Sequence, residues 1–446
     1  MSNRYERAIS EINRRSASSP GFIADPFLND TDPGRGLVRT RTLLDELQSP
    51  DERLRIAHVA GSKGKGSAAT FVANMLTDAG LRTGLSTSPH LHSFRERMTV
   101  DGQAITREKF GQTAQQVLEA ATRVERTRPE LGQVSAFETL IAMSLSYFVD
   151  VGCSFAVVEV GLGGRFDTTN AIVPEVAVIT ALELEHTDIL GHSLQEIAWN
   201  KGGIIKPGVP VVASQQEPEA LLELENIATS QGARLMLGGR DWHWHGTRTE
   251  FTFANTQATI ERLSITMPGV HQRENAGTAV AAVLQLCGKG MPPGPAAIRS
   301  GLRRAELPGR FEIVELQGRT IVLDGAHTPT SARLLAAALE ESDIVDPVVI
   351  AGFLKDKDIA ALVETLASFT SRLLLTPVAN PRTATFEHLS TIAHQVAGET
   401  AMVFPAIEEA WTAALTTAPP HCPVVITGSL TVVARVRELL CLPGAG

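Results

Sequence analysis

The sequence predicts an α/β protein in two parts: a P-loop domain with a mostly parallel sheet and a small antiparallel edge sheet, then a smaller Rossmann-like α/β domain. Three observations predict it. Apolar, β-rich runs alternate with helical stretches nearly throughout. The texture changes to polar–apolar alternation at Asp241–Met267. A breaker cluster, Leu307-Pro308-Gly309-Arg310, then precedes a fresh start of the α/β alternation. The expected boundary lies near 311, giving domains 1–310 and 311–446.

The elements follow in order. Leu54–Ala60 reads as a strand, followed by a glycine-rich turn and a helix from about Ser67 to Asp78. Arg82–Thr87 is a second strand, Ala136–Val149 a helix, and Ser154–Val160 and Glu175–Ala181 continuous apolar strands. Short apolar runs between helices are the signature of parallel strands covered on both faces. Asp241–Met267 alternates between turn residues, as antiparallel hairpins do, and a helix follows at Gln272–Leu286. Beyond the breaker, strands are expected at Thr320–Leu323, Pro347–Ile350, Arg372–Leu375 and Val424–Ile426, with helices at Ser331–Glu340 and Ile359–Ala367.

Composition narrows the function. A chain of 446 residues buries roughly 70–75% of its unfolded surface and needs no staple to fold. Its 49 acidic and 40 basic residues leave a net charge of −9. That balance offers no footprint for nucleic acid and no basic membrane patch. Cys153, Cys287, Cys422 and Cys441 form no CxxC pair, the pattern of reduced thiols in a cytoplasmic protein. The charged N-terminus lacks the apolar segment of a signal peptide, and no run of about 18 apolar residues predicts a membrane helix.

The chemistry concentrates at strand ends, where α/β sheets bind ligands. Gly61-Ser62-Lys63-Gly64-Lys65-Gly66-Ser67 follows a strand and opens a helix. Glycines let backbone N–H groups turn towards a phosphate, the helix N-terminus favours an anion, and Lys65 adds a point charge. The hydroxyl comes one residue late, at Ser67. The plain alternative is a glycine-rich turn with surface lysines. Strand Ser154–Val160 ends in EVGLGGRFD (159–167). A carboxylate in an apolar strand is costly unless paired or metal-bound, so Glu159 is a Mg²⁺ candidate or half of a buried salt bridge. GLGG lacks the third glycine of a dinucleotide fingerprint. Strand Glu175–Ala181 leads to His186, a second candidate by the same strand-end logic, and Ser88 follows the second strand. Lys201 lies on an apolar helix, where composition favours a snorkelling side chain. Trp242-His243-Trp244-His245 puts both histidines on one strand face and reads as a solvated hairpin rather than a metal site.

Together these motifs resemble the Mur ligase superfamily, and most closely its folate branch, the folylpolyglutamate and dihydrofolate synthases. The resemblance runs from Gly36-Leu37 and Arg39-Thr40-Arg41-Thr42-Leu43-Leu44 to Gly428-Ser429-Leu430, with EVGLGGRFD and KGGIIKPG (201–208) its most specific parts. It implies an ATP-dependent ligase that joins L-glutamate to a folate or to dihydropteroate through an acyl phosphate. It implies that the 61–67 loop, Asn275, Arg310 and Asp324 bind ATP, with Arg310 reaching it at the domain junction. It implies Ser88, Glu159 and His186 as Mg²⁺ ligands at two expected sites, Lys201 carried as a carbamate, and His327, in the Asp324-Gly325-Ala326-His327 segment, facing ATP and glutamate. Asp356, Asp358, Arg382 and Ser429 resemble substrate-side positions more weakly. A monomer with no nucleic-acid or membrane partner is expected.

Three departures stand out: Glu185 where the family often has Asp, Thr328 after His327 where many members have Asn, and Ala60-Gly61-Ser62-Lys63-Gly64-Lys65-Gly66 in place of the common TGTNGKG. A peptidoglycan-precursor ligase would carry a nucleotide-sugar domain ahead of the phosphate loop, and too few residues precede Gly61 for one. A P-loop ATPase switch would need neither Lys201, Asn275, Arg310 nor the 324–327 segment.

Overall fold

A computed structural model describes residues 2–17, 34–286 and 293–444. The chain forms two compact units. The first comprises Met1–His90, Phe94–Ile265 and Arg273–Ala305; the second comprises Leu91–Ser93, Thr266–Gln272 and Glu306–Gly446.

In the first unit an eight-stranded sheet contains, in chain order, β1 (Arg55–Ala60), β2 (Thr83–Ser86), β3 (Met98–Val100), β4 (Gln103–Ala104), β5 (Phe155–Glu159), β6 (Val176–Ile179), β7 (Val211–Ala213) and β8 (Leu235–Leu237). Its spatial order is β4-β3-β2-β5-β1-β6-β7-β8. The pairs from β2 across to β8 are parallel, whereas the β2–β3 and β3–β4 pairs at one edge are antiparallel. β1 is central, between β5 and β6, so the three expected ligand-bearing strand ends are adjacent. One core packs Ile56, Ala156 and Val158 against the helices Arg107–Thr127 and Ala136–Asp150. Another packs Ala177, Ile179, Val211 and Ala213 against Leu194–Lys201 and Pro218–Ser230. Helices on both faces are the reason these strands read as unbroken apolar runs.

The helix Ala136–Asp150 begins with a capping box, Ser135 with Glu138. Glu138 is buried and also takes Arg39 at 2.8 Å, which ties the early Arg39-Thr40 segment to the domain. The helix Pro295–Arg304 lies so close to Lys65–Asp78 that a Cβ on Gly301 would sit 2.5 Å from the Met75 Cα.

The alternating segment forms a separate antiparallel sheet of β9 (Trp242–Gly246), β10 (Phe251–Asn255) and β11 (Thr259–Leu263). Trp242 is buried and stacks on Phe253, whereas His243 and His245 are exposed. The hairpin reading therefore holds for the histidines, while Trp242 belongs to the core.

The second unit has a six-stranded sheet: β12 (Glu312–Leu316), β13 (Arg319–Leu323), β14 (Val348–Ala351), β15 (Arg372–Leu375), β16 (Ala401–Val403) and β17 (Val424–Thr427), ordered β12-β13-β17-β14-β15-β16. All pairs but β12–β13 are parallel. Val349, Leu373 and Val425 face the helices Pro329–Glu341 and Ile359–Ala367. Their neighbours Ile350, Leu374 and Ile426 face Ile407–Thr417 and Leu430–Leu439. Cys153, Cys422 and Cys441 are free thiols; Cys287 lies outside the described residues. Among the described residues, no helix is long and apolar enough to cross a membrane.

Candidate active site

β1 runs directly into the glycine loop, and the helix Lys65–Asp78 starts at once, with Gly64 as its N-cap in a left-handed conformation (φ 85°). The first-turn N–H groups of such a helix have no intrahelical acceptor and point outward, which is the basis of anion binding there. Not all the loop amides are available. Ser62 and Lys63 donate their N–H groups to Ala181 O at 3.0 and 3.2 Å, and the Ser62 hydroxyl donates to Glu183 O at 3.0 Å. The loop is thus tied to the chain leaving β6, and its Ser62 and Lys63 amides are already bonded within the protein. Both glycines at its turns are sterically required. A Cβ on Gly61 would lie 1.8 Å from Thr180 Oγ1, and one on Gly64 2.1 Å from Asn275 Oδ1. Asn275 therefore packs directly on the loop.

Lys201 does not snorkel. It is 1% exposed, and its Nζ donates to Gly61 O at 2.9 Å and to Glu185 Oε1 at 2.8 Å. Lys65 Nζ donates to the same Gly61 carbonyl at 2.9 Å. Glu185, which sequence reasoning noted only as a departure, is the shared counter-charge, with Lys63 also 3.9 Å away. Burial pushes its carboxyl up, but Lys201, Lys65 and Lys63 outweigh that and hold it at about 2. Burial pushes the Lys201 amine down; Glu185 opposes the fall, Lys65 and Lys63 add to it, and the result is about 8. Glu185 follows a strand end, one residue before His186, so the rule that singled out His186 reaches it too.

Glu159 ends β5 and is buried; its Oε2 accepts the Ser88 N–H at 2.9 Å. These two expected ligands meet, at a small cavity they line with Ser86, Arg97 and Ser144. Arg97 is buried and donates to His90 Nδ1 at 2.8 Å; burial lowers it to about 10 despite the Glu159 charge. His186 lies in the left-handed region (φ 46°) at the start of the short helix Thr187–Leu190. Among the described residues, no three His, Cys, Asp or Glu side chains gather as a metal cluster; the expected set has only Glu159 and His186 of those types.

The last two glycines of GLGG are required by close packing. A Cβ on Gly163 would come 2.5 Å from Asn200 Oδ1, and one on Gly164 2.7 Å from Lys201 O. Arg165 lies over the Trp199 ring at 4.0 Å from its centroid.

In the second unit Asp324 is half-buried, directly after β13. Its Oδ2 accepts Phe311 N–H at 2.8 Å and its Oδ1 accepts Ala326 N–H at 2.9 Å. Burial raises its carboxyl, against the nearby Arg310 charge. His327 Nδ1 lies 2.8 Å from Gly325 O, and Thr328 caps the helix Pro329–Glu341. The sequence thus brings Arg310, Asp324 and His327 together around one turn. The more weakly expected residues are apart in role. Arg382 pairs with Asp356 at 3.6 Å, whereas Asp358 and Ser429 cap helices, accepting from Ala361 N and Val432 N.

Comparison with known proteins decides what this arrangement is. Residues 59–283 match the Mur ligase middle domain, and residues 309–430 match the Mur ligase glutamate ligase domain. The folylpolyglutamate synthase of Lacticaseibacillus casei is 34% identical over 90% of this chain and 94% of its own. The chain belongs to the Mur ligase family, in its folylpolyglutamate and dihydrofolate synthase branch. The dihydrofolate synthase/folylpolyglutamate synthase of Escherichia coli is 34% identical over 86% of each chain. A solved folylpolyglutamate synthase complex with AMPPCP and folate superposes with a TM-score of 0.83 at 32% identity, over 98% of this chain and 99% of that one. As a Mur ligase of this branch, the protein is an ATP-dependent amide ligase that forms C–N bonds.

Proposed function

We propose that this ligase joins L-glutamate to a folate-type carboxylate, extending tetrahydrofolate polyglutamates, making dihydrofolate from dihydropteroate, or both. The observation that carries the reading is the strand–loop–helix at Gly61–Ser67 with buried Lys201 and half-buried Glu185 against it, in a chain whose relatives are named for these two reactions.

The γ-phosphoryl group of ATP passes to an oxygen of the acceptor carboxylate, leaving ADP and an acyl phosphate. The glutamate nitrogen then attacks the acyl carbon; a C–N bond forms, the C–O bond to phosphate breaks, and the amine loses a proton. No protein nucleophile is needed, so catalysis is positioning and charge stabilisation. The first-turn amides from Gly64 onward and the Lys65 ammonium receive phosphate oxygens, with Ser62, Lys63, Gly66 and Ser67 shaping the loop and Asn275 bracing Gly64. Arg310 and Asp324 are assigned to the nucleotide and His327 to the glutamate side. Asp356, Arg382 and Ser429 are assigned to substrate, Arg382 by its guanidinium.

Glu159 and Ser88, which line one small strand-end cavity, are the residues that would hold Mg²⁺ by carboxylate and hydroxyl oxygens. His186 is assigned to the same ion, and a second ion is assigned to Lys201 carried as a carbamate. When bound, these ions neutralise charge on the transferring phosphoryl group. Carbamylation needs a neutral amine. With Lys201 held to about 8, roughly one molecule in ten supplies it at pH 7. Lys63 and Lys65 then remain to balance Glu185. The functional domains are residues 1–310 for ATP and 311–446 for glutamate ligation, in a cytoplasmic monomer.

The test is phosphate release with dihydropteroate, monoglutamyl folate and polyglutamyl folate in turn, each with and without glutamate, and mass analysis of the product. Release that requires glutamate and one of these acceptors supports the reading. ATP hydrolysis indifferent to both would reveal an ATPase switch instead.

A further inference from the structure

β1 carries a second polar residue, four positions before Ser62, that the mechanism above does not use. His58 is fully buried at the centre of the sheet. Its Nε2 lies 2.8 Å from Thr169 Oγ1, and the Thr169 hydroxyl donates to Asp167 Oδ1 at 2.5 Å. A hydroxyl has one proton to give, so with that proton on Asp167 the threonine accepts from His58 Nε2–H. His58 Nδ1 is then a buried nitrogen without a hydrogen-bond partner. An apolar side chain would carry no such cost, so the imidazole is there for the bond it makes.

The far end of this chain reaches Lys201. Asp167 Oδ2 accepts Leu162 N–H at 2.9 Å, and Oδ1 also accepts Thr169 N–H at 2.9 Å. That holds the loop whose Gly163 and Gly164 lie against Asn200 and the Lys201 backbone without room for a Cβ. Arg165 N–H closes on Asn200 O at 2.7 Å. Lys201 Nζ then returns to Gly61 O, at the end of the strand that holds His58. The result is a closed ring: β1, Thr169, Asp167, the glycine loop, the end of the Leu194–Lys201 helix, and β1 again.

We propose that His58, Thr169 and Asp167 are positioning residues that set Lys201 against the phosphate loop through this ring. The inference rests on the ligase reading for its kinetic consequence, but its structural claim concerns Lys201 alone. A hydrogen-bonded ring specifies distance and direction, which apolar packing at the same sites would not. A small displacement of a group that positions a phosphoryl-transfer site costs far more in rate than in stability.

The experiment compares Thr169→Val, which keeps the branched shape and removes the hydroxyl, with Thr169→Ser, which keeps the hydroxyl. The first readout is the acetylation rate of Lys201 relative to exposed Lys355, followed by mass spectrometry on the full chain. The second is kcat and KM for ATP. Thr169→Val is expected to label Lys201 at least about tenfold faster and to lose at least about tenfold in kcat with little change in KM. Thr169→Ser restores both. Wild-type labelling and kcat in folded Thr169→Val would overturn the proposal, since a purely structural role predicts only a lower Tm. If Thr169→Val does not fold, His58→Met decides the same two readouts in the same sense. Labelling needs no acceptor, so a wild-type enzyme that makes no glutamyl product would refute the ligase reading and leave this comparison standing.

Discussion

Glu185→Gln removes one charge from a buried cluster and leaves its shape intact. In the wild type the carboxylate faces Lys201 at 2.8 Å with only 16% of its side chain exposed, and it is held from 4.5 down to about 2. At about 1.4 kcal/mol per pH unit, that depression corresponds to about 3 kcal/mol of folding stability at pH 7. The sign follows from protons bound. Above 4.5 the carboxylate is ionised in both the folded and the unfolded chain and the contribution is complete. As pH falls towards 2 the unfolded chain takes up the proton first, so the contribution shrinks, to about 2 kcal/mol at pH 3.5. In Glu185→Gln the Lys201 ammonium is buried without its counter-charge, which is itself destabilising. Urea unfolding of both proteins across pH 7 to 3.5 should therefore show a gap of about 3 kcal/mol that narrows on acidification. A gap below about 1 kcal/mol at pH 7, or one that does not narrow, would refute the view that Glu185 neutralises this lysine cluster.

Gly64→Ala places a Cβ 2.1 Å from Asn275 Oδ1 at a residue with φ 85°; calorimetry should show ADP binding weakened at least about tenfold, given a strain on the order of 1–2 kcal/mol for the left-handed backbone alone. Lys201→Ala removes the amine that reaches Gly61 O and should abolish product formation; added CO₂ will not restore it, whereas short carboxylates are expected to do so in part, and near wild-type turnover would exclude the carbamate. His58 is lowered from 6.5 to about 3, first by burial and then by the Lys206 charge, so the unfolded chain binds its proton first. The His58 contribution is intact above 6.5 and is lost as pH falls towards 3, at up to about 1.4 kcal/mol per pH unit. His58→Gln should flatten the acid side of a stability–pH curve measured by urea unfolding.

Much of the fold was legible because its signals are local. The apolar runs of β5 and β6, the glycines after β1 and the alternation of β9–β11 each report what one short segment must bury. Ser429 and Asp358 each cap a helix, a role that the motifs around them did not suggest. The candidate site was legible as far as strand ends went: Glu159, His186 and the loop all follow parallel strands. Lys201 was the hard case. An apolar helix with one lysine has the composition of a snorkelling side chain, and only the neighbours show that its amine is enclosed.

By itself, then, the sequence determined which segments become strands, helices and turns, and that ligand-bearing residues sit at their ends, because propensity and periodicity act over a few neighbouring residues. The tertiary structure alone decided that β1 lies between β5 and β6, that Glu185 answers Lys201, and that His58 reaches Asp167 through Thr169. Those contacts join segments a hundred or more residues apart or side chains on different elements. They depend on register and packing in three dimensions, which no window along the chain contains.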